Sequence, residues 1–156
     1  MPYLLDTNTC IHVLNGSSPA LVARLGRERP ERVRLSTVVK AELLHGARRS
    51  QRVGENLALL ARFFAAFASV PFDARAAEAY GQIRTELERE GRLIGANDLL
   101  IAATARAHDL TLVTHDVDEF ARVAGLAWED WEVLRDRPGG AFFDARRSLG
   151  RGQPLI

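Results

Sequence analysis

Short apolar runs alternate along this chain with longer segments in which apolar side chains recur at helical spacing. A buried strand is a short continuous apolar run, whereas an amphipathic helix repeats its apolar face every three to four residues. The alternation predicts an α/β fold in which helices cover a mainly parallel sheet. The runs that we predict to be strands are Tyr3–Leu5, Val33–Leu35, Thr111–Val113 and Leu126–Trp128, with no more than an edge strand at 70–72.

Polar residues and breakers indicate where the helices begin and end. Thr7 or Asn8 is the expected N-cap of the first helix, and Pro19 suits the first turn of the second. Asp73 is the expected N-cap of a long helix over 74–90. The other helices are predicted around residues 38–47, over 56–68, from 96 or 97 to 107, and over 117–123.

Composition limits the class of protein. The 156 residues suffice for one domain with a real core, and the net charge of +1 gives no global attraction to nucleic acid. Cys10 is the single cysteine and suits a reducing compartment. Because there is also no secretion signal and no apolar run of the roughly 20 residues that a membrane helix needs, we predict a cytoplasmic protein outside the membrane.

Four acidic residues lie where an apolar run gives way to a polar or glycine-bearing step, or just inside a helix that starts there. Asp6 follows the first strand, and Asp116 follows the run that ends at Val113. Glu42 lies early in the helix after the second strand, and Asp98 directly precedes a long apolar run. The carboxyl ends of strands in an open α/β sheet line a single crevice, so these acids can converge in space.

Converged carboxylates need a cation. Two unit charges about 4 Å apart repel by roughly 4 kcal/mol at an effective dielectric near 20. Mg²⁺ and Mn²⁺ prefer oxygen ligands and leave positions for water and a substrate phosphate. Such an ion lowers the pKa of a bound water and neutralises charge on the leaving oxygen, so a nuclease of this kind needs no covalent protein nucleophile.

Each acid also has a simpler explanation. Asp6 and Asp116 stand where helix caps are common, and Glu42 could face solvent. The helix dipole favours an acid at Asp98. The conjunction is stronger evidence, because the neighbours of Glu42 are apolar and the helix after Asp98 is almost wholly apolar for two turns.

The segments around the acids also form a recognisable series. They are Leu4 to Asn8, Ser36 to Glu42 with Leu43 and Gly46, Ile94 to Ala103, and Leu112 to Asp116 with Asp118, Glu119 and Phe120. Together, and in this order, they resemble PIN-domain ribonucleases and closely resemble the VapC toxins of bacterial toxin–antitoxin pairs. The resemblance covers about residues 2–131, and it implies a PIN-like α/β/α sandwich.

The resemblance implies a metal-dependent endoribonuclease that binds Mg²⁺ or Mn²⁺ and acts on RNA. It implies that the metal ligands are Asp6, Glu42, Asp98 and Asp116. It also implies that Thr7 and Thr114 hold the acids or bound water, and that Asn8 and Asn97 are supporting polar residues. Asp118 is a candidate auxiliary acid for which we favour a surface role.

The resemblance further implies two protein partners. A small VapB-like antitoxin would wrap a segment around the chain and direct a side chain, often Arg, toward the carboxylates. Members of the family also commonly form homodimers.

Three departures from the family pattern bear on these expectations. Leu93 stands where the family often has Pro, and Asp116 stands where many close relatives have Asn, so Asp116 is the least secure ligand. The segment after Trp131 is also longer than the family usually needs. We therefore expect a PIN domain over 1–131 and a C-terminal extension over 132–156, to which no role transfers.

Three other functions remain open at this stage. An aspartyl-phosphate phosphatase would need a second Asp where Asn8 stands and a lysine, for which Lys40 is the only candidate. A non-catalytic binding module would share the fold, although all four acids argue against it. A housekeeping PIN nuclease in RNA processing would share both the fold and the site.

Overall fold

The protein is built on a single parallel sheet. A computed structural model describes residues 1–133. All five of its strands run parallel, in the order β3-β2-β1-β4-β5. They are β1 (Tyr3–Leu5), β2 (Val33–Ser36), β3 (Ala68–Val70), β4 (Thr111–Val113) and β5 (Trp128–Glu129).

Helices connect the strands and cover both faces of the sheet, as parallel topology requires. The sandwich is therefore of the α/β/α kind that the sequence predicts. A 3-10 turn at Pro30–Arg32 precedes β2. The helices are α1 (Thr7–Asn15), α2 (Pro19–Arg27), α3 (Thr37–Arg49), α4 (Val53–Ala65), α5 (Ala74–Arg89), α6 (Ala96–Ala107) and α7 (Val117–Phe120). In the described part of the chain, no helix is long and apolar enough to cross a membrane.

The central strands and α6 form the middle of the core. Leu5 of β1 pairs in register with Leu35 of β2 and Val113 of β4, and these three side chains are buried. Full burial of such a side chain contributes about 1.5–3 kcal/mol relative to exposure. Helix α6 is buried over most of its length, at Leu99, Ile101, Ala102, Ala103, Thr104 and Ala105. The acidic start of α6 is therefore fixed by a helix embedded in the core.

The described elements differ from the predicted ones mainly at their ends. Helix α4 covers 53–65 instead of 56–68, and β3 covers 68–70 instead of 70–72. Phe67 packs against the Phe63 ring from beyond the end of α4, so helical spacing continued past the helix itself. Pro71 has no N–H for a sheet ladder, and the strand ends before it.

Two later elements also differ from their prediction. Helix α7 ends at Phe120, three residues before the predicted Val123. Strand β5 covers 128–129 instead of 126–128. Its register pairs Trp128 with Leu112 and Glu129 with Val113. The expected extension over 132–156 is described only at its first two residues, and 134–156 lie outside the described residues.

Candidate metal centre

Asp6 lies at the point where β1 passes into α1. Its main-chain N–H donates to the carbonyl of Val113 (3.1 Å), which joins the carboxyl ends of β1 and β4. Its side chain is 4% exposed and accepts a 2.7 Å hydrogen bond from the N–H of Thr9. Asp6 is thus the N-cap of α1, which agrees with the simpler explanation of this acid and not with Thr7 or Asn8 as the cap.

Burial raises the pKa of the Asp6 carboxyl above its ordinary value. Hydrogen bonds from Thr114 and Thr9 oppose the shift, and the charge of Asp116 adds to it. A buried carboxylate is costly unless hydrogen bonds or a cation compensate for lost water. Thr114 therefore lies beside Asp6, and its role in holding an acid of a metal site stays a prediction.

Glu42 connects three helices through its carboxylate. It lies on α3 and accepts hydrogen bonds from the Thr7 hydroxyl on α1 and from Nδ2 of Asn97 on α6, the latter at 2.7 Å to Oε1. Both donors are neutral, so they fix the position of the carboxylate without cancelling its charge. Thr7 and Asn97, both predicted as supporting residues, thus hold the same acid.

Asp98 lies in the first turn of α6 and is half-buried. Its pKa is raised to about 7, first by burial, then by a hydrogen bond that the protonated carboxyl donates to Glu119, by the like charge of Glu119, and further by the charges of Glu42 and Asp6. The Glu42 carboxylate is bonded to Thr7, the residue after Asp6, and to Asn97, the residue before Asp98. These contacts bring Asp6, Glu42 and Asp98 to the same edge of the sheet.

Asp116 is the N-cap of α7 and lies at the same edge. Its N–H donates to the Thr114 hydroxyl (3.0 Å), and its Oδ1 accepts from the N–H of Glu119 (3.4 Å). Thr114 also hydrogen-bonds Asp6, so the two acids share one neighbour, and the charge of Asp116 contributes to the raised pKa of Asp6. Asp116 is therefore both a helix cap, as its simpler explanation proposed, and a neighbour of the other acids.

Glu119 is the acid that sequence reasoning missed. Its carboxylate accepts a hydrogen bond from the protonated Asp98 carboxyl, and its Oε2 accepts from the N–H of Gly95 at 3.4 Å. The spacing of Asp116 and Glu119 resembles that of a capping box, in which an N-cap is followed three residues later by Glu. No such box forms here, because the Asp116 N–H donates to Thr114 and Glu119 binds at the start of α6. Asp118 is exposed as expected.

The remaining singled-out residues contribute less to the site. Asn8 is exposed on the first turn of α1, and the hydrogen bonds found within residues 1–133 do not connect it to the carboxylates. His115 bonds Oδ2 of Asp130 at 2.9 Å, which raises the pKa of the imidazole. Trp131 is buried against the Tyr3 ring, and the Lys40 ammonium lies 5.0 Å from the centre of the Phe64 ring.

The oxygen atoms of these side chains are of the chemical type that a divalent cation binds. Carboxylate and hydroxyl oxygens predominate, as Mg²⁺ and Mn²⁺ require. Within the described residues, none of the predicted ligands takes part in an ion pair with Lys, Arg or His. The same residues contain no group of three or more His, Cys, Asp or Glu side chains already arranged to hold a metal. Asp6, Glu42 and Asp116 instead bond to neutral groups, and Asp98 bonds to Glu119.

Comparison with known proteins assigns this architecture to a family. Residues 3–126 match the model of the PIN domain. The chain is 37% identical over 133 residues to ribonuclease VapC2 of Rickettsia felis, covering 85% of this chain and 99% of that protein. It is 40% identical over 131 residues to the tRNA(fMet)-specific endonuclease VapC of Shigella flexneri, covering 84% and 98% of the two chains.

A solved structure agrees with both sequence matches. The DNA-bound VapBC of Salmonella typhimurium contains a chain that superposes with a TM-score of 0.80 at 34% identity, covering 84% of this chain and 98% of that one. The sheet edge that carries Asp6, Glu42, Asp98 and Asp116 is called the acidic edge below. The fold and this acidic edge together define a PIN-domain protein. The chain belongs to the PIN-domain family and, within it, to the VapC ribonucleases.

Proposed function

We propose that the protein is the toxin of a VapBC-type toxin–antitoxin pair and an endoribonuclease that depends on Mg²⁺ or Mn²⁺. The observation that carries this proposal is the convergence of Asp6, Glu42 and Asp98 with no cationic side chain paired to them among residues 1–133. A site built only for stability would pair or expose such charges. Unneutralised carboxylates at one edge instead favour a cation that arrives from solution.

In this proposal Asp6, Glu42, Asp98 and Asp116 hold the metal, and Glu119 is a fifth carboxylate beside them. The bound ion would supply Lewis acidity toward a water molecule and toward the scissile phosphate. The protein contributes orientation: Thr7 and Asn97 hold Glu42, and Thr114 bonds the side chain of Asp6 and the main chain of Asp116. Asn8 stays a predicted supporting residue; it is exposed, and the hydrogen bonds found within residues 1–133 do not connect it to the acids.

The substrate in this proposal is RNA. Ribonuclease VapC2 of Rickettsia felis and the tRNA(fMet)-specific endonuclease VapC of Shigella flexneri are named for RNA cleavage, and both align over nearly their whole length. Because water and not a protein side chain would attack, the acids are sufficient for phosphodiester hydrolysis once a metal is bound.

The proposed protein partner is a VapB-like antitoxin encoded beside the toxin. The Salmonella typhimurium structure and that of Rickettsia felis VapBC2 are toxin–antitoxin complexes bound to DNA. We also propose that the protein acts in the cytoplasm and forms a homodimer, as the family resemblance implies. A housekeeping PIN nuclease would have the same site but no neutralising antitoxin.

Induced expression tests this function. We expect the wild-type chain to arrest growth, and we expect co-expression of the neighbouring antitoxin to restore it. Expression of Asp98→Asn to the same level should leave growth normal, because Asn keeps the shape of the side chain without its charge. Normal growth with folded wild-type protein would contradict the toxin function. Arrest that the antitoxin does not relieve would favour the housekeeping nuclease.

A further inference from the structure

Gly95 stands directly before α6 and is its N-cap residue. Its φ of −55° and ψ of 148° are open to any L-amino acid, so the backbone conformation does not explain a glycine at this position. Glycine has no side chain, so it cannot accept the cap hydrogen bond that Ser, Thr, Asp or Asn would accept. Glycine is nevertheless accepted at N-caps, so the space beside Gly95 decides whether its missing Cβ has a further role.

The space beside Gly95 indicates such a role. A Cβ atom placed on Gly95 would lie 2.7 Å from Oδ2 of Asp98 and 3.6 Å from its Cγ. The first distance is closer than real Cβ atoms approach other heavy atoms. The three nearest atoms all belong to the Asp98 side chain. Because Gly95 has no Cβ, it leaves room for the Asp98 carboxyl.

The main chain of Gly95 reaches the partner of that carboxyl. Its N–H donates to Oε2 of Glu119 at 3.4 Å, and Glu119 in turn hydrogen-bonds Asp98. Gly95 therefore binds Glu119 through its N–H and, because it has no Cβ, leaves space for the Asp98 carboxyl.

We propose that Gly95 is a positioning residue that sets the orientation of the Asp98 carboxyl toward Glu119 and hence toward the metal. The inference deepens the proposed function and rests on it. An alanine at this position keeps the N–H and suits the backbone, but it forces the Asp98 carboxyl to rotate away. Because a rotating carboxyl is the flexible end of a side chain, the fold should accommodate the change.

Two other glycines provide matched controls. Gly54 lies in α4 and Gly81 in α5, and a Cβ on either would meet no atom within 4 Å. A helix interior favours alanine over glycine. Gly54→Ala and Gly81→Ala therefore add the same methyl group without touching the acids.

Calorimetric titration of the purified full-length chain with Mn²⁺, in the absence of RNA, tests the proposal. We expect Gly95→Ala to weaken Mn²⁺ binding about tenfold or more, which is the usual cost of losing a group that orients a metal ligand. Its thermal unfolding midpoint should stay near that of the wild type. Gly54→Ala and Gly81→Ala should bind Mn²⁺ as the wild type does. Wild-type affinity in Gly95→Ala would overturn the proposal.

A double substitution separates the action through Asp98 from any other effect. In an Asp98→Ala background, Gly95→Ala should weaken Mn²⁺ binding no further, and an additional loss would overturn the proposed route. A crystal structure of Gly95→Ala gives a readout that does not involve metal. We expect a rotated Asp98 carboxyl, and an unmoved one would refute the proposal. If the wild-type chain binds no Mn²⁺, the proposed metal function fails, while this crystal structure still decides the positioning role.

Discussion

Asp73 and Asp98 each stand at the beginning of a helix, yet their surroundings shift their pKa values in opposite directions. Asp73 caps α5, accepts from the N–H of Ala76 at 2.9 Å and lies 3.1 Å from Nε2 of His108. The Ala76 N–H and the nearby His108 lower the pKa of Asp73. Asp98 opens α6, and burial and the neighbouring acids raise its pKa to about 7.

The difference shows what each helix start is built for. A helix N-terminus favours an anion at either position. At Asp73 a backbone donor and a histidine complete the stabilisation, so the group serves the fold. At Asp98 the nearest ionisable groups are further carboxylates, and the repulsion among them is left uncompensated by residues 1–133. This difference is what the proposed cation site at Asp98 rests on, because a divalent cation would compensate the charges that the described residues do not.

The largest expected effect comes from removing the charge of Asp6 at the acidic edge. Asp6→Asn keeps a side-chain oxygen that can cap α1 but removes the charge. We expect cleavage of RNA to fall about 10³-fold or more, corresponding to roughly 4 kcal/mol of lost transition-state stabilisation. A gel assay of RNA cleavage with Mg²⁺ measures it.

The matched control is Asp73→Asn, which makes the same chemical change at the start of α5. Its cleavage rate should stay within about twofold of the wild type. An equal loss of activity in the two variants would mean that the acids act through stability and not through a metal.

Metal removal is the next largest effect. Dialysis against EDTA should abolish RNA cleavage, and excess Mg²⁺ or Mn²⁺ should restore it. At a cation concentration 100 times the Kd, binding should also stabilise the fold by about 2.7 kcal/mol. Thermal unfolding with and without Mg²⁺ measures this gain. Undiminished cleavage in EDTA would exclude the proposed mechanism.

A smaller effect concerns the pH dependence of the metal-free protein. The Asp98 carboxyl keeps its proton up to about pH 7 in the folded state but only to about pH 4 when unfolded. The folded state therefore binds more protons in this window, and the contribution of Asp98 to stability is lost as the pH rises from about 4 to 7.

Urea unfolding in EDTA across this pH range measures the trend. The decline attributable to Asp98 should disappear in Asp98→Asn, whose side chain does not titrate. If the two proteins lose stability equally across the window, the raised pKa does not belong to Asp98.

The smallest expected effect is on stability and concerns Asp73, the other acid of the comparison. Asp73→Ala removes the cap of α5 together with its histidine contact, so the thermal midpoint should drop by about 3 °C. RNA cleavage below that temperature should be unchanged. A drop in cleavage with no loss of stability would show that Asp73 acts on the site after all.

Much of the fold could be predicted from the sequence because its signals are local. Strands β1 and β4 are continuous apolar runs, and Asp73 marks the start of α5 where a cap is expected. The parallel sheet and the family assignment were both confirmed. Local spacing was wrong at the end of α4, because the packing of Phe67 on Phe63 preserves an apolar rhythm after the helix has stopped.

The site was predictable only in part, for a related reason. Asp6, Glu42, Asp98 and Asp116 stand beside strand ends or helix starts, which are visible in the sequence. Their role as metal ligands stays a prediction. The contact of Glu119 with Asp98 and Gly95 depends on how α7 packs beside α6, and no spacing along one segment encodes a contact between two helices.

The central claim is that the acidic edge binds a divalent cation that Asp73 and its helix do not. Calorimetric titration of the full-length chain with Mn²⁺, for the wild type, Asp98→Asn and Asp73→Asn, tests it most directly. We predict that the wild type and Asp73→Asn bind Mn²⁺ with equal affinity and that Asp98→Asn binds it at least tenfold more weakly. Absence of binding in the wild type, or equal binding in all three proteins, would contradict the account.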